Sequence, residues 1–221
     1  MKPGLMEIYG DLSDHFGPLG WWPADYGKGT DPKFEIAAGA ILTQQTQWKN
    51  VEKALNSLKG EGLLFPERIL GTEKGRLESL LRPTGFYRQK AGRLLLFCGW
   101  LTEKYGGKME NFLKKELVAG RRELLSLNGI GKETADSILL YAGGKPVFVI
   151  DAYTRRMCKR LGITDSKDYE ELRMLFEKNL PGDVEVYKEF HALIVELCKN
   201  YCRVRPVCGH CPLSGRCPKK Y

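Results

Sequence analysis
Four cysteines crowd the last 20 residues in the order Cys202-x5-Cys208-x2-Cys211-x5-Cys217. Four thiolates within 16 residues can wrap a compact metal centre. A zinc ribbon more often pairs two Cys-x2-Cys units across a longer segment, so zinc is the less fitting occupant. A second feature is Asp151, which follows the apolar run Pro146–Ile150 and precedes a helix-like segment, Ala152–Leu161. It reads as the N-cap of that helix, and a capping aspartate is held rigidly and kept ionised by the helix N-terminus. A third is the string Leu124–Ala135, in which Gly129 and Gly131 flank Ile130 and Lys132 follows. Glycines let a backbone turn tightly and approach another surface closely. The helix that opens after them presents N–H groups and a dipole that suit a phosphate, and Lys132 adds charge there. Ile130 would plug the turn into the core. Gly-x-Gly before a helix is also an ordinary αα-turn, so the fragment alone leaves both readings open.

The elements that must position these groups are helical. Apolar residues recur at helical spacing over Phe34–Gln47, Trp48–Lys59, Gly85–Lys104, Thr134–Tyr141, Ala152–Leu161, Tyr169–Lys178 and Val184–Asn200. Only Pro146–Ile150 is β-prone, and it is too isolated to build a sheet. The fold class is all-α. The 221 residues allow one large domain or two small lobes, and 43% hydrophobic content is enough for a sizeable core. The formal charge of +8 favours a polyanionic partner, nucleic acid before membrane. No apolar stretch is long enough to span a bilayer. Met1–Gly10 holds no long apolar core, so a secretion signal is not expected and the protein is expected to be cytoplasmic. Without a secretory signal, seven cysteines point to a metal site before disulfides.

Taken whole, the string Leu-Leu-Ser-Leu-Asn-Gly-Ile-Gly-Lys-Glu-Thr-Ala resembles the helix-hairpin-helix of the base-excision DNA glycosylases. The Gly/Pro-containing loop and Asp151 that follow are similar to the signature of the endonuclease III superfamily. The resemblance spans about residues 30–217. It implies two helical lobes: a six-helix barrel over 33–145 carrying the hairpin, and a second lobe formed by 1–32 with 146–221. It implies that Asp151 is catalytic and helps expel the base from its sugar. Gln44, Gln45, Gly129, Ile130, Gly131 and Lys132 are then expected to contact double-stranded DNA, Gln44 filling the gap left by a flipped nucleotide. Endonuclease III and the adenine–guanine mismatch glycosylase end in a similar four-cysteine loop that binds a [4Fe–4S] cluster, which makes Cys202, Cys208, Cys211 and Cys217 the expected ligands. The usual first gap there is six residues and here it is five, with Cys198 one helical turn earlier. Lys199, Arg203 and Arg205 make the tail basic and suited to phosphate.

Three positions select within the superfamily. Bifunctional endonuclease III carries a lysine where this chain has Glu133, and a carboxylate cannot form a Schiff base. Lys132 is adjacent, but one residue on a helix turns a side chain by about 100°. The segment Leu-Thr-Gln-Gln-Thr-Gln is similar to that of the adenine–guanine mismatch enzyme, whose catalytic glutamate is replaced here by Ala40; without the acid, protonating a neutral adenine is hard. Trp21-Trp22-Pro23, together with Trp48 after the glutamine motif, resembles the 3-methyladenine DNA glycosylase III branch, in which a flipped base lies between aromatic side chains. Trp21, Trp22, Trp48 and Glu133 are thus the expected base pocket. The resemblance implies a monomeric, monofunctional N-glycosylase that releases alkylated purines. The alternatives are an endonuclease III-like pyrimidine-lesion or mismatch uracil/thymine glycosylase with abasic-site lyase activity, and a noncatalytic DNA-binding module.

Overall fold
The computed structural model describes residues 4–27 and 31–218. Residues 1–3, 28–30 and 219–221, which fall within the expected second lobe, lie outside the described residues. Among the described residues every regular element is a helix and no strand occurs. The chain divides into two compact units, Met1–Trp21 with Pro146–Tyr221, and Trp22–Lys145.

The helices in chain order are α1 (Leu5–Phe16), α2 (Pro32–Leu42), α3 (Trp48–Gly60), α4 (Pro66–Leu70), α5 (Lys74–Leu81) and α6 (Tyr87–Tyr105). They continue with α7 (Met109–Leu113), α8 (Leu117–Leu125), α9 (Lys132–Ser137), α10 (Ala152–Leu161), α11 (Tyr169–Asn179) and α12 (Val184–Asn200). None of them is long and apolar enough to cross a membrane.

In the unit 22–145, α2 is the central helix. Asp31 caps it by accepting from the Phe34 amide, Pro32 stands in its first turn, and every residue from Phe34 to Leu42 is buried. It packs on α3, α6, α7 and α9. The helical periodicity read over Phe34–Gln47 overshoots: α2 stops at Leu42, and 43–47 form a turn in which Gln45 takes φ 54. The segment Thr134–Tyr141 also differs from a simple helix. α9 passes directly into a π-helical turn over Ile138–Ala142, a wider winding that recurs at functional sites.

In the other unit α12 packs on α1 and α10. Phe148, Phe176, Tyr187 and Phe190 form its aromatic core, with Phe148 stacked on Phe176 at 4.3 Å. Val147–Ile150 is buried yet pairs with no strand. Side chains meet its backbone instead: the Phe148 amide donates to Glu177 and the Ile150 amide to the Tyr169 hydroxyl.

Candidate active site and nucleic-acid interface
α8 and α9 are two short helices joined by the turn 126–131. Arg121 on α8 donates twice to the fully buried Asp136 on α9, at 2.7 and 3.1 Å, which clamps the two arms together. Ile130 is buried, while Gly131 and Lys132 are exposed at the start of α9. Gly129 takes φ 87, a conformation that a residue with a side chain seldom adopts.

Beside this turn lies a surface pocket of about 450 Å³, lined by Gln44, Gln45, Phe86, Lys90, Arg93 and the turn residues 129–131. The structure therefore brings together five residues singled out by the sequence (Gln44, Gln45, Gly129, Ile130 and Gly131) and adds four that it did not single out, Phe86, Gln89, Lys90 and Arg93. Gln44 is tied down: its amide donates to the Gly129 carbonyl at 2.9 Å and to Thr134 Oγ1 at 3.0 Å, and its oxygen accepts from Arg93. Gln45 is exposed. Gln45 and Phe86 are the two non-glycine residues with positive φ among the described residues, and both rim this pocket. Such backbone costs of order 1–3 kcal/mol and gathers at functional sites. Phe86 is 65% exposed, on the loop that enters α6. Lys90 is buried beneath that loop, its ammonium donating to the Thr84 carbonyl at 2.7 Å. Burial, and then the charge of Arg93, push the Lys90 amine down to about 8.

The three expected pocket tryptophans fall into two groups. Trp22 is buried, edge-on to Trp48 at 5.2 Å and 88°, and 5.2 Å from Tyr141 in the π turn. Its indole lies over Gly39, where a Cβ would fall 3.2 Å from Trp22 Cζ2. Trp48 is half-buried. Trp21 belongs to the other unit, 6.3 Å from His191 in a T-shaped contact, with the Lys199 ammonium 5.3 Å from its ring. Glu133 is exposed, one residue after Lys132 at the start of α9.

Asp151 caps α10. Its Oδ1 accepts from the Thr154 amide at 2.7 Å and from Thr154 Oγ1 at 2.8 Å, and its Oδ2 stands 3.7 Å from His191 Nε2. Burial pushes this carboxyl up, but His191 and the two Thr154 donors outweigh it and hold it below the ordinary aspartate value. His191 lies on α12, in an apolar run, and no local pattern in the sequence marks it.

Cys202, Cys208, Cys211 and Cys217 line one small cavity with Arg160, Tyr201 and Pro206; Cys198 does not line it. Arg160 donates to Cys202 Sγ at 3.4 Å and to the Val204 carbonyl at 3.0 Å, and Arg156 donates to the Cys202 carbonyl at 2.6 Å. A hydrogen bond from Cys198, then Arg160 and Arg156, pull the Cys202 thiol down to about 6 against its burial. The same hydrogen bond and burial push Cys198 up. Among the described residues no group of three or more His, Cys, Asp or Glu is arranged to hold a single metal ion.

The chain is similar to known proteins over most of its length. A family model described as the HhH-GPD superfamily base excision DNA repair protein matches residues 38–182. A protein of Methanocaldococcus jannaschii, provisionally assigned as a DNA repair glycosylase, is 49% identical over 98% of this chain and 96% of its own length. Endonuclease III of Thermotoga maritima is 32% identical over 86% of this chain and 84% of its own. The crystal structure of the H. pylori 3-methyladenine DNA glycosylase bound to 1,N6-ethenoadenine superposes with a TM-score of 0.74 at 33% identity, covering 89% of this chain and 98% of that one.

Proposed function
The chain belongs to the HhH-GPD superfamily of base excision DNA repair proteins and is a DNA glycosylase, and on that premise we propose that it flips damaged, alkylated purines out of double-stranded DNA, releases them, and leaves the abasic strand uncut. The observation that carries this reading is the aromatic cluster of Trp22, Trp48 and Tyr141. Trp48, half-buried, offers the flipped base an indole; Trp22 and Tyr141 back it. An N-alkylated purine carries positive charge, so its contact with an electron-rich ring gains about 0.5–2 kcal/mol. The H. pylori relative, a 3-methyladenine glycosylase with an ethenoadenine ligand, supports this substrate class.

The positive charge also removes the need for a general acid, consistent with Ala40 where the mismatch enzyme has a glutamate. The C1′–N bond breaks with its electron pair going to the base, which leaves neutral. Asp151 faces the cationic sugar; a water oxygen bonds to C1′ and its proton passes to the Asp151 carboxylate. With Glu133 in place of an amine, the chain holds no Schiff-base nucleophile at that position.

On the DNA side, the 129–131 turn and Lys132 hold the backbone phosphates. Gln45 rather than Gln44 enters the space left by the flipped base, because Gln44 is engaged by Arg93, Gly129 and Thr134 while Gln45 is exposed. Phe86, exposed on the same rim, wedges into the opposite strand.

The four cysteines that line one cavity fit a [4Fe–4S] cluster, which Cys202, Cys208, Cys211 and Cys217 would hold through one thiolate each without converging on one ion. Bound there, such a cluster would fasten the tail that carries Arg203 and Arg205. Arg156 and Arg160 hold that loop from α10.

The test is product analysis on duplexes bearing 3-methyladenine, uracil, thymine glycol or an abasic site. Free 3-methyladenine with an intact strand is the expected result, and Trp48→Ala should weaken lesion binding by about 1–3 kcal/mol. Release of thymine glycol with strand cleavage would instead support the endonuclease III-like reading, which the 32% identity to the Thermotoga enzyme keeps in view.

A further inference from the structure
We infer that His191 is a positioning residue for Asp151, setting the direction of its carboxylate from the side opposite the helix cap. The inference rests on the reading of Asp151 as the group that faces the sugar. Its basis is an asymmetry in the carboxylate's surroundings. Oδ1 is saturated by the Thr154 amide and hydroxyl, both within its own helical turn. Oδ2 receives neither, and the side chain that faces it, His191, comes from α12.

At 3.7 Å, Nε2 lies within ion-pair reach but beyond an ordinary hydrogen bond. An imidazole there restrains the carboxylate plane and favours its ionised form, yet leaves Oδ2 able to take a proton from water. The cost of the arrangement argues that it serves a purpose. His191 is 5% exposed, in the buried run Phe190–Val195, where every neighbour in sequence is apolar. A leucine would fill such a position without the penalty of burying a polar ring.

Other charged groups near the carboxylate are committed elsewhere. Arg156, on the same helix, donates to the Cys202 and Cys198 carbonyls and lies over the Tyr153 ring. Tyr153, Cys158 and Cys198, which sense the charge of Asp151, are all pushed toward their neutral forms, chiefly by burial for the first two and by the Cys202 hydrogen bond for the third. On its other side His191 meets Trp21 in a T-shaped contact.

The experiment compares single-turnover base release and DNA affinity for H191L, H191M and H191Q, with D151N as reference, on whichever of the duplexes bearing 3-methyladenine, uracil or thymine glycol the parent protein releases base from fastest. Leu and Met fill the buried volume without a donor; Gln places an N–H at a similar reach. H191L and H191M should release base roughly 10–100-fold more slowly, as expected for a misplaced catalytic group, with unchanged affinity for lesion and undamaged duplex. H191Q should recover most of the rate. Parent-like rates in either apolar variant overturn the inference. So does a rate loss matched by an equal affinity loss, or an H191Q as slow as H191L. Full activity in D151N would overturn the role of Asp151 itself, a separate failure.

Discussion
Arg93 lies flat along Gly129: a methyl group built on Gly129 would fall 2.5 Å from Arg93 Nε and 2.6 Å from its Cγ, and the same guanidinium reaches Gln44. One arginine on α6 thus needs the hairpin glycine bare and holds the glutamine turn against it. Gly129→Ala should cost about 1–2 kcal/mol from its positive φ alone, and more from the collision. Arg93→Ala relieves the collision, so a double-mutant cycle in thermal or urea unfolding should show the two changes to be non-additive. Additive costs would mean that the contact carries no energy.

Phe86 combines a left-handed backbone with a largely exposed ring. Phe86→Gly removes the backbone strain and little packing. It should leave the melting temperature unchanged or slightly raised while lowering affinity for duplex DNA severalfold. Unaltered affinity in a binding titration at fixed salt would remove Phe86 from the interface.

Lys90 predicts a pH dependence of stability. Its amine is pushed down to about 8 in the folded chain, from about 10.4 when unfolded. Between those values the unfolded state binds more protons, so this group makes stability rise with pH through that window and be lost as pH falls through about 8. Lys90→Met should flatten that part of a stability-against-pH curve from chemical denaturation. An equally steep curve in the variant would assign the slope to another group.

Borohydride trapping on an abasic duplex checks the consequence of Glu133. The parent protein should give no covalent adduct, because a carboxylate cannot form an imine. Efficient trapping would be evidence against a monofunctional enzyme and would point to Lys132 or another amine.

Iron content distinguishes the cysteines. Cys202→Ser should lose iron and the broad visible absorbance that accompanies it. Cys198→Ser should keep both, since Cys198 lies outside the cavity that the other four line. One zinc and no iron in anaerobic preparations of the parent chain would rule out the cluster.

The features legible from residue order alone were local. Helical periodicity identified the all-α class, because a helix repeats its environment every few residues. Asp151 was legible as a cap because the donors that define a cap lie within three positions, and the structure shows Thr154 in that role. The Gly-x-Gly turn and the cysteine spacing were legible for the same reason. Even locally there was a limit: apolar spacing alone ran α2 on to residue 47, whereas the helix ends at Leu42 and the Gln44 amide just beyond it donates to the Gly129 carbonyl 85 positions away.

Which members of each candidate set meet is set by the folded chain. It tied Gln44 down and left Gln45 exposed, grouped Trp22 with Trp48 and Tyr141, and set Trp21 against His191. It also brought in Phe86, Lys90, Arg93 and His191, which carry no motif. For Arg93 and His191 the significance lies in contacts between elements far apart in sequence, with Gln44 and Asp151, and packing that brings such elements together depends on the shape of the whole folded unit. A lysine in α6 or a histidine in α12 reads as an ordinary helix residue until the fold supplies the Thr84 carbonyl or the Asp151 carboxylate opposite it.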